Sequence, residues 1–123
     1  MQKNKFKSII GDTEGGVYAV VDFVGSEASA SFGRKCLRRG GRLILVGLFG
    51  GGLQIDLPLM ALQGHSIIGS ITGSLSEAKE VLALAKQGNI EPIPIELRPL
   101  DHVNSTLDQL RAGQIIGRVV LTP

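Results

Sequence analysis

The sequence has few residues for stacking on bases, closing disulfides or binding metal. It has no tryptophan, one tyrosine and four phenylalanines among 123 residues, too few rings to stack on single-stranded nucleic acid. Its one cysteine, Cys36, has no partner for an internal disulfide, which fits a reducing compartment. A zinc site needs three or four converging cysteine, histidine or carboxylate ligands, and one cysteine and two histidines that lie apart in the sequence do not suggest such a group. We therefore expect no nucleic-acid partner and no metal ligands in this chain.

Long apolar runs are also lacking. No stretch approaches the ~18 apolar residues that suggest a membrane span, and residues 1–5 lead into no apolar signal-peptide core. The charge is nearly balanced, with 13 lysines and arginines against 11 aspartates and glutamates, a formal +2. So small a charge attracts polyanions only weakly. These observations predict a cytoplasmic protein with no membrane partner.

Glycine, in contrast, is present in excess. There are 17 glycines in the chain, about twice the usual share, and they follow no collagen-like period. They separate runs of β-branched and apolar residues, a pattern typical of parallel strands that are covered on both faces. The predicted strands span residues 17–24, 42–47, 65–72 and 118–121, with a short alternating strand at 53–57 and an edge strand or extended connection around 93–95.

Helical spacing fills the gaps between these strands. The predicted helices run from Ser26 to Gly40, for one turn from Pro58, from Ser74 to Gly88 and from Val103 to Gly113, while residues 1–14 are a short helix or a tail. Cys36 falls on the apolar face of the first of these and is interpreted as a core residue. The alternation, with no internal repeat, indicates one α/β domain over residues 1–123 with a mainly parallel sheet.

No catalytic constellation can be assembled from these residues. A hydrolase needs a nucleophile, a base and an orienting acid, and no G-x-S-x-G elbow follows a strand. His65 opens a predicted strand, and His102 follows Asp101, a candidate helix cap, so we interpret both histidines as structural or solvated. The dinucleotide fingerprint G-x-G-x-x-G and the phosphate-binding P-loop are both absent from the sequence. We assign no catalytic residue.

The glycines at the strand ends are more informative. Gly25, Gly47 and Gly69 each end or interrupt a predicted core strand. In an open parallel sheet, ligands bind at the carboxyl ends of the strands, where a missing Cβ lets a flat ligand approach the backbone. Two interpretations remain open from spacing alone: a ligand site, or tight turns and nothing more.

Two segments carry a family resemblance. Residues 20–25 (VVDFVG) and 37–47 (LRRGGRLILVG) resemble the second half of the cofactor domain of zinc-type alcohol dehydrogenases, in the medium-chain dehydrogenase/reductase superfamily. The similarity continues through residues 68–70, 83–90 and 117–121, so it covers the chain from about residue 15 to residue 123 in order. It implies a partial Rossmann-like, doubly wound sheet with helices on both faces, and NAD or NADP as the cofactor.

The resemblance also implies which residues lie along the cofactor. The loop after the first strand packs beside it, the next strand end follows the nicotinamide, and backbone groups near the third strand hold the carboxamide. An arginine close to the C-terminus contacts the pyrophosphate, for which a guanidinium is a bidentate partner. The residues at these positions are Val24, Gly25 and Ser26; Val46, Gly47 and Leu48; Ser70, Ile71 and Thr72; and Arg118.

What the family carries before these segments is absent from the sequence. That part comprises the domain with the zinc ligands, the glycine-rich turn over the pyrophosphate, and the acidic residue that binds the ribose. The substrate, and the choice between NAD and NADP, therefore stay open. We expect a truncated C-terminal part of a dinucleotide-binding domain, with a weak or partial cofactor site and no activity by itself.

An association module derived from such an enzyme is the alternative. In the family, the segment that matches residues 65–72 contributes to subunit pairing. The strand at 17–24 would also have an unpaired apolar edge, and such edges pair with other chains. We therefore expect a homodimer or a higher oligomer, with the missing catalytic domain as a further candidate partner.

Overall fold

The computed structural model describes residues 5–123, which fall into two compact units divided between Thr72 and Gly73. We call residues 5–72 the N-terminal unit and residues 73–123 the C-terminal unit. A short helix or a tail is predicted at residues 1–14, and the structure has a helix at Lys5–Asp12. Residues 1–4 lie outside the described part. The count of one domain stays a prediction.

The N-terminal unit is built on a three-stranded parallel sheet with the order β1-β2-β3. Its elements are α1 (Lys5–Asp12), β1 (Val17–Asp22), α2 (Glu27–Lys35), β2 (Leu37–Leu45), α3 (Leu57–Gln63) and β3 (Ser66–Gly69). Asp22 pairs with Leu45, which in turn pairs with Gly69. The carboxyl ends of the three strands therefore lie at one edge of the sheet.

The core of this unit lies between β2 and α2. Leu43 is 0% exposed and clusters with Leu37 and with Ala30 of α2. Cys36 is buried beside them, which confirms its interpretation as a core residue. Burial raises the pKa of its thiol, so it is held in the protonated form.

The predicted boundary between α2 and β2 is wrong. The helix ends at Lys35, with Cys36 as its cap, and Gly40 lies within β2 instead of ending the helix. Gly40, with φ of +71°, lies in a β-bulge of β2. Between the pairs Val17–Leu37 and Ala19–Arg42, β2 contains more residues than β1 does. A glycine with positive φ serves a helix end or a bulge equally well, and the strand pairing decides between them.

Other strand bounds in this unit also differ from expectation. Residues 53–56 form no strand, and Asp56 instead caps α3 by accepting the Leu59 N–H at 2.9 Å. The third strand is shorter than predicted, so that residues 70–72 follow it as a loop. β1 ends at Asp22, since the carboxylate of that residue binds the backbone of the next turn.

The C-terminal unit pairs β4 (Ile95–Pro99) with β5 (Arg118–Thr122) in a parallel two-stranded sheet. Its helices are α4 (Leu75–Lys86) and α5 (Val103–Arg111), the second preceded by a 3-10 turn at Leu100–His102. The predicted capping box is confirmed: Ser74 accepts the Glu77 N–H at 3.3 Å, and Glu77 accepts the Ser74 N–H.

The predicted cap at Asp101 is wrong. Asp101 lies inside the 3-10 turn, and α5 begins after His102 with no side-chain cap. The predicted fold class nonetheless holds, since every strand pair of residues 5–123 is parallel and helices alternate with strands. Within the same residues, no helix is long and apolar enough to cross a membrane.

Candidate functional site

The predicted site residues other than Arg118 meet at the carboxyl edge of the N-terminal sheet. The backbone N–H groups of Val46 and Gly47 both donate to the Asp22 carbonyl, at 2.9 and 3.0 Å. The Ser70 N–H donates to the Leu45 carbonyl at 2.9 Å. These bonds extend the strand pairing by a residue or two and hold three loops beside one another, as the parallel register requires.

Gly25 and Gly47 are where two of these loops touch. A Cβ on Gly25 would lie 1.8 Å from the Gly47 carbonyl oxygen, and one on Gly47 would lie 2.2 Å from the Val24 carbonyl carbon. Gly25 also has φ of +68°. Both glycines are therefore required by backbone packing and turn geometry before any ligand is considered. Gly69 differs, because a Cβ there would meet nothing within 4 Å.

A cavity of about 130 Å³ opens between these loops and the start of α2. Its lining includes Gly25, Ser26, Glu27, Ala30, Leu45 and the glycines 47 and 50–52. Ligand pockets for whole small molecules usually measure ~300–1,000 Å³. This cavity is therefore smaller than a pocket for a whole dinucleotide.

The glycines at 50–52 are functional candidates that the sequence analysis passed over. The Phe49 and Gly50 N–H groups donate to the Val24 and Gly25 carbonyls, both at 3.1 Å, so the loop after β2 runs parallel to the loop after β1. The feature of the sequence that could have indicated them is the run of three glycines after a core strand. They match no phosphate-binding motif, because such motifs lead directly into a helix.

Asp22 is a further residue of the site that was not predicted from the sequence. It is only 5% exposed, and its carboxylate accepts the N–H groups of Val24 at 2.9 Å and Gly25 at 3.0 Å and the Ser29 hydroxyl at 2.8 Å. Burial raises the pKa of Asp22, but the hydrogen bonds from Gly25, Ser29 and Val24 outweigh it and hold the pKa below its ordinary value. The signal was an aspartate at a strand end, three residues before a glycine.

The apolar site residues face solvent. Leu48 is 97% exposed and Ile71 is 91% exposed, although both follow core strands. Exposed apolar side chains grouped at one edge mark a contact surface for a ligand or another polypeptide. They offer no acid, base or nucleophile.

Arg118 lies in the C-terminal unit, as the first residue of β5. It lines a separate cavity of about 360 Å³, together with Thr106 and Leu110 of α5 and with Val119 and Leu121 of β5. Its contact with a pyrophosphate stays a prediction.

The remaining candidates for metal chemistry are scattered. In the described part of the chain, no three or more histidine, cysteine or acidic side chains are grouped so that they could hold a metal ion. His65 Nε2 lies 3.1 Å from the Arg38 carbonyl, at the opposite edge of the sheet from Gly47, and His102 lies 4.0 Å from the Asp101 carboxylate. No catalytic residue emerges from either place.

Comparison with known proteins gives one consistent family. Residues 2–87 match the family model described as zinc-binding dehydrogenase. The NAD-dependent alcohol dehydrogenase of Sulfolobus acidocaldarius is 41% identical over 107 residues, covering 86% of this chain and 31% of that protein. An alcohol dehydrogenase of Geobacillus stearothermophilus is 40% identical, covering 87% of this chain and 32% of that protein.

A solved structure is similar over nearly the whole chain. The alcohol dehydrogenase of Aeropyrum pernix matches with a TM-score of 0.87 and 35% identity, covering 99% of this chain and 35% of that one. The chain thus spans about a third of the length of the relatives it matches.

Proposed function

This chain belongs to the zinc-binding dehydrogenase family, and we propose that it is the cofactor-binding portion of an NAD(P)-dependent, alcohol dehydrogenase-like oxidoreductase. The resemblance identified from the sequence and the Rossmann-like α/β class are confirmed by the family match and by the similar solved structure.

The observation that carries the proposal is the meeting of two strand ends, those of β1 and β2, around one glycine-lined cavity. Parallel sheets bind ligands at this edge, and residues 22–25 and 46–50 are joined there by backbone hydrogen bonds. A nicotinamide cofactor, when bound, supplies the hydride chemistry. The loops at Gly25 and Gly47 would hold part of it, with the exposed Leu48 and Ile71 as apolar contacts.

Zinc ligands are not grouped in the described part of this chain. In the family, zinc acts as the Lewis acid, and such a site needs three or four converging ligands. The described residues offer no such group. We therefore propose that the chain by itself does not turn over an alcohol. Alcohol-dependent reduction of NAD or NADP by the purified chain, supplemented with zinc, would contradict this.

Binding of the cofactor is tested by saturation-transfer NMR with NAD and NADP. We expect weak binding, of about millimolar affinity, because a small cavity offers few contacts to offset the translational and rotational freedom that the ligand loses on binding. Arg118→Ala should weaken the transfer, while Arg111→Ala, an exposed arginine paired with Asp108, serves as the matched control.

The outcomes separate the parts of this proposal. No transfer to either dinucleotide from the parent chain would overturn the cofactor function. Equal transfer in the parent and in Arg118→Ala would remove only the role of Arg118. Submicromolar affinity would contradict the partial site.

Association with a second copy is the other candidate function. It is supported by the open edges of the three-stranded sheet, which are β1 and β3. Beside β1, an apolar groove of about 560 Å³ includes Phe32 and Phe23, the latter 75% exposed. Unpaired apolar edges are templates for another strand.

We propose a homodimer or higher oligomer through one of these edges. Sedimentation at high micromolar concentration should show it, and a clean monomer would overturn it. Val21→Lys on β1 and Ile68→Lys on β3 place the same charge at the two edges. The variant that dissociates the oligomer identifies the edge that pairs.

A further inference from the structure

The basic residues of the N-terminal unit are concentrated in one segment. Between Glu27 and Asp56 the sequence has no acidic residue, yet this stretch contains five cations, Arg34, Lys35, Arg38, Arg39 and Arg42. The first two lie in the last turn of α2, where the helix C-terminus stabilises positive charge. The other three follow in β2, beyond the helix, so the helix dipole does not account for them.

Two of these three arginines meet at the ring of Tyr18. The guanidinium carbons of Arg38 and Arg42 lie 4.9 and 5.6 Å from the ring centroid, both within the range of cation–π attraction. In a regular strand, residues four apart are separated by about 13 Å. Here Tyr18 alone lies opposite residues 38–41, in the bulge of β2, so the register places it between the two arginines. Their guanidinium carbons therefore lie within about 11 Å of each other.

The backbone of this bulge is held by two contacts. A Cβ on Gly41 would lie 2.8 Å from the Arg38 carbonyl oxygen, so the two ends of the bulge touch. The same carbonyl accepts a hydrogen bond at 3.1 Å from Nε2 of His65, the residue directly before β3. Arg38 and Arg42 are consequently presented from an ordered backbone, which lowers the conformational entropy that binding of a ligand would cost.

The charges of this pair are not neutralised within residues 5–123, because no ion pair there involves β2. The Tyr18 ring attracts each cation but carries no net charge. Both guanidiniums are on exposed residues, and Tyr18 is half exposed. Each guanidinium is a planar fork of N–H donors that matches the oxygens of a carboxylate or a phosphate. A group with one negative charge would leave half of the positive charge in place, whereas a group with two neutralises the pair.

We propose that Arg38 and Arg42, positioned by the ring of Tyr18, bind the doubly charged phosphate group of a small soluble compound. A phosphate monoester carries a charge of about −1.5 to −2 at pH 7 and offers three acceptor oxygens, enough for both forks. Nucleic acid is disfavoured, because the site has one ring where bases need a series of them to stack on.

This site is separate from the candidate cofactor site. Tyr18 is near the start of β1, whereas Asp22 ends that strand at the carboxyl edge of the sheet. Four strand residues span about 13 Å. The phosphate site therefore neither depends on the proposed cofactor function nor supports it.

The experiment titrates the chain, labelled with ¹³C at the arginine guanidinium carbons, with inorganic phosphate slightly above neutral pH and at constant ionic strength. We expect the Arg38 and Arg42 signals to shift together, with half-saturation at about millimolar phosphate. Acetate has the same kind of oxygen but one charge, and should bind about tenfold more weakly.

Variants of the bulge separate the pair from its surroundings. Arg38→Gln and Arg42→Gln should each weaken phosphate binding about tenfold, since each removes one charge-assisted contact. Arg39→Gln removes the same charge from the same bulge at a residue outside the pair on the ring. It is the matched control and should weaken binding less than about twofold.

The positioning role of Tyr18 has its own test. Tyr18→Leu should weaken phosphate binding about threefold, because the guanidiniums lose the ring that holds them. Tyr18→Phe keeps the ring and should bind like the parent. Loss of binding in Tyr18→Phe as large as in Tyr18→Leu would contradict this role.

Three results would overturn the site itself. The first is equal weakening by Arg39→Gln and Arg38→Gln, which would show a diffuse cationic surface. The second is acetate binding as tightly as phosphate. The third is no response of the Arg38 and Arg42 signals to phosphate. Vesicles of phosphatidylcholine and phosphatidic acid complete the test, since capture by these vesicles without a response to inorganic phosphate would assign the arginines to a lipid surface instead of a soluble compound.

Discussion

The two units of this chain are stabilised by different interactions. In the N-terminal unit, Leu43, Leu37 and Ala30 form an apolar cluster between sheet and helix. In the C-terminal unit, the buried Thr106 accepts a hydrogen bond from Arg98 at 3.1 Å. Arg98 also donates to Gln109 at 3.0 Å, so β4 is tied to α5 by polar groups.

The number of strands explains this difference. A central strand such as β2 has neighbours on both sides, so continuous apolar residues along it can be enclosed. A sheet of two strands has no central strand, and Leu97 of β4 is 67% exposed. Its neighbour Arg98 instead forms an ion pair with Glu96, whose pKa is lowered by the hydrogen bond from Arg98. The N-terminal unit is thus stabilised by an apolar core, and the C-terminal unit by hydrogen bonds between Arg98 and α5.

The sharpest test of this comparison is a leucine truncation in each unit. Leu43→Ala should destabilise the N-terminal unit by about 3 kcal/mol, since it leaves a cavity in a fully enclosed site. Leu97→Ala should cost less than about 1 kcal/mol, because the side chain is largely in water already. Residue-resolved amide hydrogen exchange reports the two units separately. Equal losses of protection in both units would contradict the comparison.

A smaller effect is expected from glycine substitution at the candidate site. Gly47→Ala should cost about 2 kcal/mol, because its Cβ collides with the Val24 backbone. Gly69→Ala, at the neighbouring strand end with open space, should change stability by less than about 0.5 kcal/mol. Urea denaturation measures both. A tolerated Gly47→Ala would mean that the loops after β1 and β2 do not touch as described.

The smallest effect is the acid dependence of each unit. The pKa of Asp22 lies below its ordinary 3.8, so its ionised form stabilises the N-terminal unit above about pH 4, and this stabilisation is lost as the pH falls through the folded pKa. Asp22→Asn should remove that component. The lowered pKa of Glu96 acts in the same direction in the C-terminal unit, but this group is exposed. In 1 M salt we expect the Glu96 component to fade and the Asp22 component to persist.

Much of the fold could be predicted from local chemistry. The capping box at Ser74, and the helix stops before Gly88 and Gly113, follow from interactions within one or two helical turns. The predictions at Gly40 and Asp101 failed because a glycine or an aspartate fits several local roles. Pairing with β1 decided the first, and the 3-10 turn before α5 decided the second.

For the candidate site, the sequence by itself determined which strand ends carry glycine and, by resemblance, which residues belong to the cofactor. Only the tertiary structure showed that Gly25 and Gly47 touch, and that the Asp22 carboxylate binds the N–H groups of Val24 and Gly25 in the turn after β1. The physical reason is the separation along the chain of the residues that interact. Propensities and caps act within a few residues, whereas the parallel register joins Asp22 to Leu45 across an intervening helix.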